Sequence, residues 1–379
     1  MKKVAFYSYL GSHIPNLAAL AHFKPPDISI EWIVQYPQGI YKPYIDSIIS
    51  LEQLGYRIQY PSKDLKLKHY FTKQRLIKNY YYPNLREKNS LNKVPVKLTI
   101  DNWWDELLSC KPNAIILSTI MLLGNNSVKH LSDISKKIPV FLHDYGQSMK
   151  EISIFKLYKE RFQFLAGIFL PGKAYLKQML TRKIKIPYWI TGGSKTDFHF
   201  LPSLFHRPTN KPFLVYCNSV SHINLYHPQA SQPEKWIPIL NAICKKMGLD
   251  LIVKLHPLTY NRFCQSSWAS QVYFSVYTNS LFKQSQGIIS DPSTVLLDSL
   301  IVQKPLFILK NEVDLPTNLQ KLLPYVPRLS INRNIEKVIA DHLKHQKKTL
   351  FPKNIVSHWW CKLDGHASKR IWRIIKKYL

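Results

Sequence analysis

The segment at 287–298 has the residue types and spacing of a phosphate-binding turn. A short apolar run, Gly-Ile-Ile-Ser, leads into Asp-Pro-Ser-Thr and then into an apolar pattern at helical spacing. Asp291 or Ser293 can serve as N-cap, and proline is tolerated where a helix begins. A helix N-terminus offers unpaired N–H groups and the positive end of the dipole. With two hydroxyls beside it, the turn predicts a phosphate or diphosphate site, although a plain helix cap uses the same residues.

A second polar strand end lies upstream of this turn. The apolar run Leu251–Val253 continues into Lys254 and then into His256-Pro257. If the two strands are parallel neighbours, their polar ends meet at one carboxyl edge, where open α/β sheets bind ligands. A His-Pro by itself is typical of an ordinary loop. The combination of two such strand ends therefore predicts a shared ligand site.

Three other segments bring together polar side chains and glycines. Residues 143–150 read His-Asp-Tyr-Gly-Gln-Ser-Met-Lys directly after an apolar run, so that His143 stands at a strand end. Residues 191–197 read Thr-Gly-Gly-Ser-Lys-Thr-Asp, and residues 364–371 read Asp-Gly-His-Ala-Ser-Lys-Arg-Ile. A histidine at a strand end is a candidate general base, and it is equally typical of a loop.

Charge is the strongest global signal, because 53 Lys and Arg stand against 23 Asp and Glu, a net charge of +30. Such an excess indicates a polyanionic neighbour, for example nucleic acid, an anionic membrane or a phosphate-rich substrate.

The five cysteines form no C-x-x-C, so neither a disulfide framework nor a zinc site is indicated. No Asp-x-Asp pair occurs, and we expect no metal and no cofactor. No apolar run is long enough for a transmembrane helix, and the N-terminus reads as a first strand, which predicts a cytoplasmic protein.

Strands and helices alternate along the chain, which predicts mainly parallel, doubly wound α/β sheets. In the first half the predicted strands are Val4–Tyr9, Ile28–Tyr36, Arg57–Tyr60, Ala114–Ser118, Val140–His143, Ile168–Leu170 and Tyr188–Thr191. The helices predicted there include Tyr44–Leu54, Trp103–Ser109, Ser127–Lys136 and Ile152–Phe162. In the second half we predict strands Phe213–Asn218, Leu251–Leu255, Val272–Val276, Gly287–Ser290 and Pro305–Leu309, with helices Lys235–Lys246, Thr294–Val302 and Ala367–Leu379.

The predicted organisation is therefore two similar α/β domains. They cover residues 1–197 and 213–365, with a proline-containing linker at 198–212 and a closing helix at 366–379 that can cross back to the first domain. Residues 62–97 interrupt the alternation with ten Lys or Arg, two acidic residues and interleaved aromatics. Such an insertion suits a membrane interface or an anionic polymer, or is simply solvated.

Taken in order, the five polar segments resemble the CDP-glycerol glycerophosphotransferase family, which builds poly(glycerol phosphate) and related teichoic-acid-like or capsular polymers. Members of that family carry Thr-Gly-x-x-x-x-Asp, Lys-x-His-Pro, Ser-Asp-x-Ser-Ser and a closing Asp-Gly-x-Ala-Ser-x-Arg-Ile. The resemblance covers roughly residues 138–375. The family's His-Gly-Thr-Pro-Leu-Lys segment is stretched and altered here at 143–150, and its middle Tyr of the phosphate turn is Pro292.

The resemblance implies a GT-B-like pair of Rossmann-type domains facing across a cleft, with a CDP-activated donor bound mainly on the second. A hydroxyl of a lipid-linked or polymeric glycan acceptor would attack phosphorus, and CMP would leave. The implied catalytic residues are His143, as base, and His256. The implied donor and phosphate ligands are Lys254, His256, Ser290, Asp291, Ser293, Thr294, Asp298, Gly192 and Lys195.

Two alternatives stay open at this point. A GT-B glycosyltransferase using a CMP- or UDP-sugar also combines a His-Pro with a Ser/Thr turn, although the acidic Asp/Glu-Asp/Glu-Gly motif typical of one sialyltransferase group is missing. A non-catalytic polyanion or nucleic-acid binder would account for the charge, but no nucleic-acid-binding motif occurs, so we expect no nucleic-acid partner. Because the acceptors of the resembling family are lipid-linked, we expect peripheral association with the inner face of the cell membrane, mainly through 62–97 and secondarily through 367–379.

Overall fold

A computed structural model describes the chain over fifteen segments, 1–9, 14–35, 56–59, 95–99, 103–120, 127–143, 159–200, 209–218, 233–254, 272–273, 278–293, 295–310, 319–331, 334–345 and 351–379. Contacts divide the chain into two compact units. The first unit contains the described residues up to 200 together with the closing segment Val356–Leu379. The second unit contains the described residues from 209 to 355.

The first unit is built on an eight-stranded parallel sheet. Its strands are β1 Lys2–Tyr9, β2 Ile28–Gln35, β3 Arg57–Gln59, β4 Pro95–Thr99, β5 Ala114–Leu117, β6 Val140–His143, β7 Gly167–Leu170 and β8 Tyr188–Ile190. They lie side by side in the order β3-β4-β2-β1-β5-β6-β7-β8. Strands β5, β6 and β7 are buried along their whole length, which is why they read as near-continuous apolar runs.

Helices separate these strands along the chain. Those described are α1 Ile14–His22, α2 Trp103–Ser109, α3 Ser127–Ser135, α4 Lys159–Phe162 and α5 Lys173–Thr181. After β8 the chain forms a 3₁₀ helix over Ser194–Phe200. Parallel neighbours need such crossovers because a short turn cannot return the chain to the same end of the sheet.

The second unit is built on a six-stranded parallel sheet. Its strands are β9 Phe213–Cys217, β10 Asp250–Lys254, β11 Val272–Tyr273, β12 Gly287–Ser290, β13 Leu306–Leu309 and β14 Arg328–Leu329. The order β11-β10-β9-β12-β13-β14 is the Rossmann order, in which the first strand lies in the middle and the chain switches sides between β11 and β12. The described helices are α6 Pro233–Lys246, α7 Thr278–Gln284, α8 Val295–Val302 and α9 Ile335–Lys344, with a 3₁₀ helix over Gln320–Tyr325.

The chain ends in the first unit. Two helices close it, α10 Lys353–Trp360 and α11 Ala367–Ile375. One face of α11 is buried in the first unit, where the Trp372 indole Nε1 donates to the Leu20 carbonyl at 2.9 Å and the ring stacks on Phe6 at 6.1 Å between centroids. Its buried side chains alternate with basic ones because only one face of an amphipathic helix meets the core.

The prediction of two parallel α/β sheets is confirmed, and three predicted boundaries differ from the structure. Residues 95–97 of the predicted insertion belong to strand β4, because this segment pairs with β2 and β3 inside the sheet. The return to the first unit occurs at Val356, earlier than the predicted 366, because α10 already packs there through Trp359 and Trp360. The 3₁₀ helix at 194–200 extends into the predicted linker at 198–212.

Several predicted elements agree closely with the observed ones. Strands β6 and β12 and helix α2 have the predicted bounds, and the other predicted strands differ at their ends only, whereas β4 and β14 were not predicted. The predicted helix at 44–54 and most of the insertion at 62–97 lie outside the described residues. None of the helices in the described segments is long and apolar enough to cross a bilayer.

Candidate functional site

Three strands of the second sheet end in one row of polar and thiol groups. Strand register pairs Cys217 at the end of β9 with Lys254 on one side and with Ser290 on the other. The two strand ends predicted from sequence therefore do share a carboxyl edge. They are not neighbours, however, because β9 lies between β10 and β12.

The centre of this row is the point where the chain switches sides of the sheet, which is where open α/β sheets place their ligand crevice. At that point Asp291 follows β12, and its carboxylate is 1% exposed. The Tyr216 hydroxyl donates to both Asp291 oxygens at 3.4 Å, and the Asn218 amide Nδ2 donates to Oδ2 at 3.4 Å. A carboxylate accepts hydrogen bonds and repels phosphate, so Asp291 suits a hydroxyl of a ligand and not its phosphates.

Ser293 forms the start of helix α8. The Val295 N–H donates to the Ser293 Oγ at 3.3 Å, and the Leu296 N–H donates to its carbonyl at 3.2 Å. Ser293 is thus the cap, one of the two residues predicted for that role. Because a hydroxyl accepts and donates at once, the capping Oγ keeps one proton to donate to a ligand. The dipole of α8 adds partial positive charge at the same place.

Ser290 has a different role from the one predicted. It is fully buried, and its hydroxyl donates to the Asp291 carbonyl at 2.8 Å. A hydroxyl that already donates to the backbone has no second proton for a phosphate. Ser290 therefore fixes the turn between β12 and Asp291 and is not a phosphate donor in this arrangement.

Opposite charges converge on the thiol of Cys217. Burial raises the pKa of this thiol to about 12, the Lys254 ammonium works in the opposite direction, and the carboxylates of Asp298 and Asp291 add to the increase. All three charged groups therefore act on one point at the end of β9. Lys254 and Asp298 are half-buried, so they border the row where a ligand can meet them.

Two predicted ligands cannot be placed. His256 and Thr294 lie outside the described residues, His256 two positions after Lys254 and Thr294 directly after Ser293. Their assignment stays a prediction from the sequence. The edge described here is therefore formed by Lys254, Asp291, Ser293 and Asp298, together with Tyr216 and Asn218.

His143 lies at the carboxyl end of β6 in the first unit. Its ring is 1% exposed, and Nε2 is 3.1 Å from the hydroxyl oxygen of Ser194. Nδ1 is buried and has no hydrogen-bond partner among the described residues. Burial lowers the pKa of His143 to about 4, and a hydrogen bond between the ring and the backbone of His143 itself acts in the opposite direction. The ring is therefore neutral at physiological pH, which is the form that can accept a proton.

The segments at 191–197 and 364–371 meet in a buried structural joint. The Asp197 carboxylate accepts the backbone N–H groups of Ala367 at 3.0 Å and Ser368 at 2.6 Å, and so caps α11 from 170 residues away. The Arg370 guanidinium Nε donates to the Thr191 carbonyl at 2.7 Å. Burial raises the pKa of Asp197, while the hydrogen bonds from Ser368 and Ala367 and the charge of Arg370 oppose the increase.

Two residues that the sequence assigned to the donor, Gly192 and Lys195, lie at this joint. Gly192 has φ +86°, and a Cβ there would lie 3.1 Å from the Arg370 guanidinium. The Lys195 ammonium lies 5.1 Å from the centroid of the Trp360 ring. Both residues belong to the first unit, whereas Lys254, Asp291 and Ser293 belong to the second.

Three residues of these sites were not singled out from sequence. Tyr216 and Asn218 flank the end of β9, and Ser194 contacts His143. For Asn218 the signal was a polar residue directly after a buried strand, as Asp291 is after β12, whereas Tyr216 lies inside β9. No sequence signal pairs Ser194 with His143, because 51 residues separate them.

Comparisons with known proteins extend to the fold. No protein-family model matches the chain, and no curated protein matches its sequence. UDP-GlcNAc 2-epimerase from Neisseria meningitidis, bound to UDP-GlcNAc, is similar with a TM-score of 0.54 and 14% identity over 100% of both chains. The S. aureus MnaA–UDP complex has a TM-score of 0.59 and 14% identity over 100% of this chain and 97% of that one.

The wall teichoic acid polymerase TagF, from a CDPG soak, has a TM-score of 0.58 and 13% identity over 99% of this chain and 88% of its own. At such identities the likeness shows the fold and nothing further. Together with the two parallel sheets, it confirms the predicted class: the chain has two Rossmann-like α/β domains of the GT-B type.

Proposed function

We propose that this chain transfers a polyol phosphate, glycerophosphate in the first place, from a CDP-activated donor to a hydroxyl of a cell-envelope acceptor. The observation that carries the proposal is the polar edge at the switch point of the second sheet. There a cation, a capping hydroxyl and a helix N-terminus stand beside carboxylates suited to hydroxyl groups. A CDP-polyol donor is complementary to these groups, because its diphosphate can bind the cation and the hydrogen-bond donors, and the hydroxyls of its ribose and polyol can donate to the carboxylates.

In the proposed reaction the acceptor oxygen attacks the phosphorus that carries glycerol, and the bond from that phosphorus to the bridging oxygen breaks. CMP leaves with the bridging oxygen, and the proton of the acceptor hydroxyl passes to a base. Ser293, the α8 N-terminus and Lys254 are proposed to stabilise the charge on the phosphates, as fixed donors and dipoles do in other transferases. His143 is proposed as the base because it is the neutral imidazole at a strand end.

Donor binding tests the proposal and is our first prediction. Ser293→Ala combined with Thr294→Ala is expected to weaken binding of CDP-glycerol about tenfold to a hundredfold per lost group, since a hydrogen bond to a charged group contributes about 1.5–3 kcal/mol. His256→Ala should have an effect of similar size. Titration calorimetry measures the affinities, and a thermal-shift panel of CDP-glycerol, CDP-ribitol, CMP-sialic acid, UDP-sugars and oligonucleotides tests donor selectivity.

A matched control is Ser285→Ala, which removes a buried hydroxyl that donates to the Phe282 carbonyl in the same unit. Its donor affinity should equal that of the unaltered chain.

A preference for CMP- or UDP-sugars in the panel would favour the glycosyltransferase alternative, which the similarity to a UDP-GlcNAc-bound structure supports. Binding of oligonucleotides alone would favour a polyanion binder. Unchanged affinity for CDP-glycerol in folded Ser293/Thr294 variants would remove these residues from the site.

Membrane contact is the second prediction. The apolar face of α11 is buried through Ile371, Trp372 and Ile375. A membrane could therefore contact α11 through its basic face. That face carries Lys369 and Arg373, and Lys377 follows just after the helix; all three are exposed and four residues apart. Each basic residue near an anionic leaflet contributes about 1 kcal/mol. We therefore propose that 62–97 supplies most of the binding and the α11 face a smaller, purely electrostatic part.

Liposome sedimentation measures this contact. We expect binding to anionic vesicles and not to neutral ones, release as salt shortens the Debye length to about 3 Å at 1 M, and loss when the basic residues of 62–97 are replaced by glutamine. Replacing Lys369, Arg373 and Lys377 should weaken binding less. Equal sedimentation with neutral vesicles, or none with either kind, would contradict the prediction and point to a polyanionic acceptor as the partner of the positive charge.

A further inference from the structure

The amino ends of the first unit's strands form a basic edge, at the opposite end of the sheet from His143. Backbone hydrogen bonds between 2.7 and 3.0 Å join the starts of β1 and β5, of β5 and β6, of β6 and β7, and of β7 and β8. Strands lie about 4.8 Å apart, so these five strand starts span about 20 Å. Six exposed lysines stand at these starts or in the turns before them: Lys2, Lys111, Lys136, Lys137, Lys183 and Lys185. We call this surface the amino edge.

The acidic residues beside the amino edge are held in ion pairs. The Asp133 carboxylate lies 3.3 Å from the Lys136 ammonium. Asp27, whose carbonyl accepts the Lys2 N–H, binds the Lys376 ammonium at 2.9 Å. Two aspartates thus stand beside seven lysines, and the amino edge keeps a positive excess that an anionic surface can meet.

Two of the lysines have a backbone conformation that favours glycine. Helices α2, α3 and α5 end at the amino edge, where a cation offsets the negative end of the helix dipole. That accounts for basic residues there, but Lys111 has φ +48° and Lys183 has φ +53°. Both follow a helix end by two residues, a place where helices commonly close with glycine. Lysine at both positions therefore strains the backbone, and the local fold does not require its charge there.

Exposed apolar side chains are concentrated at the same edge. Leu108 and Leu180 lie in the last turns of α2 and α5 and are 47% and 55% exposed. The Tyr378 ring rests on Phe141 and Trp189, at 5.1 and 6.2 Å between centroids. Of the eight exposed large apolar side chains in the described segments, five lie here: Met1, Leu108, Leu180, Tyr188 and Tyr378. Leucine and tyrosine among lysines are typical of surfaces that contact a bilayer.

We propose that the amino edge of the first sheet binds an anionic bilayer surface, with Leu108, Leu180 and Tyr188 entering the headgroup region and the lysines meeting the lipid phosphates. A hydrated polyanion would be complementary to the lysines alone and would leave the apolar side chains in water. This surface is distinct from the contacts proposed above for 62–97 and α11, and it does not depend on the transferase reaction. Because His143 lies at the other end of the strands, binding here leaves its edge open.

Removing the strained lysines tests the proposal in the full chain. Lys111→Gly, Lys183→Gly and Lys185→Gln together should weaken sedimentation with vesicles of equal parts phosphatidylglycerol and phosphatidylcholine at least about tenfold, since each lysine near an anionic leaflet contributes about fivefold. The two glycines relieve the left-handed backbone, so the unfolding midpoint should stay equal or rise. Weaker binding with an equal or higher midpoint therefore reports the lost charge and not unfolding.

A matched control removes three exposed lysines at the opposite end of the same unit. Lys129 and Lys173 lie in the first turns of α3 and α5, and Lys362 follows Cys361, whose thiol contacts the Ile190 carbonyl at the end of β8. Replacing all three with glutamine should change vesicle binding by less than about twofold, because they do not face the bilayer. Unchanged binding in the amino-edge variant, or an equal loss in this control, would overturn the proposal.

Replacing the two exposed leucines distinguishes a bilayer from a soluble polyanion. Leu108→Gln with Leu180→Gln keeps good helix formers and leaves the charge as it is. We expect vesicle binding to fall severalfold, because apolar side chains contribute only where they leave water. Binding to polyphosphate, measured by calorimetry, should stay unchanged. If the leucine variant bound vesicles normally while the lysine variant lost vesicles and polyphosphate alike, the amino edge would bind a soluble polyanion and the proposal would be wrong.

Discussion

Replacing His143 with alanine is expected to lower turnover about a hundredfold to ten-thousandfold, the usual contribution of a general base, while donor affinity changes little. The reason is that a base acts in the transition state and the donor is proposed to bind through the other unit. His143→Gln keeps more of the buried volume and should lose the same activity. The two variants are compared by steady-state kinetics with CDP-glycerol and by calorimetry with the same donor.

The pH profile gives a second readout of the same residue. Burial lowers the pKa of His143 to about 4, so the ring binds a proton only in strong acid. The acid limb of kcat/KM, which reports the free enzyme, should therefore lie near pH 4 and not near the ordinary histidine value of 6.5. Turnover within about tenfold of normal in a folded His143→Ala variant would mean that the base lies elsewhere.

The second large effect concerns the joint that holds the closing helix. Asp197→Ala is expected to destabilise the first unit by about 2–5 kcal/mol, because the N–H groups of Ala367 and Ser368 would be left buried without an acceptor, at about 1–3 kcal/mol each. Asp197→Asn keeps one acceptor oxygen and should cost less. Urea denaturation gives the free energy of unfolding, and amide hydrogen exchange in α11 localises the loss.

Asp27 provides the matched control, since its carboxylate also binds the closing segment. It accepts from the Lys376 ammonium at 2.9 Å on the surface. The Lys376 bond and charge lower the pKa of Asp27, but an exposed ion pair is screened by water and salt. Asp27→Ala should leave the unfolding midpoint where it is. Equal effects of the two replacements, or none from Asp197→Ala, would contradict the role assigned to the joint.

The two parallel sheets could be predicted because a strand buried on both faces has a distinctive sequence. Apolar runs of four to five residues ending in a polar residue recur at β5, β6, β9, β10 and β12, and helical spacing separates them. The same reasoning failed at β4. Its Pro-Val-Lys-Leu-Thr sequence directly follows the basic stretch at 62–94. The basic composition of that stretch led us to include the start of this five-residue strand in the predicted insertion.

The polar edge of the second sheet was only partly predictable. Parallel strands carry their C-termini to one side, so Lys254 and Ser290 had to share an edge once both strands were recognised. Which strand lies between them depends on the long-range order of the sheet, which no local pattern encodes. Tyr216 and Asn218 were missed as partners of Asp291 because these contacts join residues more than 70 positions apart in the sequence. Ser290 was predicted as a ligand, whereas its hydroxyl donates to the Asp291 carbonyl.

The joint shows why a motif does not reveal its own role. The segments at 191–197 and 364–371 look like ligand loops, with glycine, hydroxyls and charges side by side. In the structure the Asp197 carboxylate accepts the N–H groups of Ala367 and Ser368, and the Arg370 guanidinium donates to the Thr191 carbonyl, so that both segments make structural contacts across 170 residues or more of sequence. Only His143, through Ser194, connects this joint to the proposed chemistry.

The central claim is tested most directly by identifying the phosphorus–oxygen bond of CDP-glycerol that is broken in the reaction. The chain is incubated with CDP-glycerol and a lipid-anchored glycerol phosphate acceptor in anionic vesicles, and phosphorus NMR follows the donor. We predict equal amounts of CMP and of a new phosphodiester on the acceptor, both reduced in Ser293→Ala with Thr294→Ala and nearly abolished in His143→Ala. CDP-glycerol left intact, while a CMP- or UDP-sugar is consumed by the same preparation, would contradict the account.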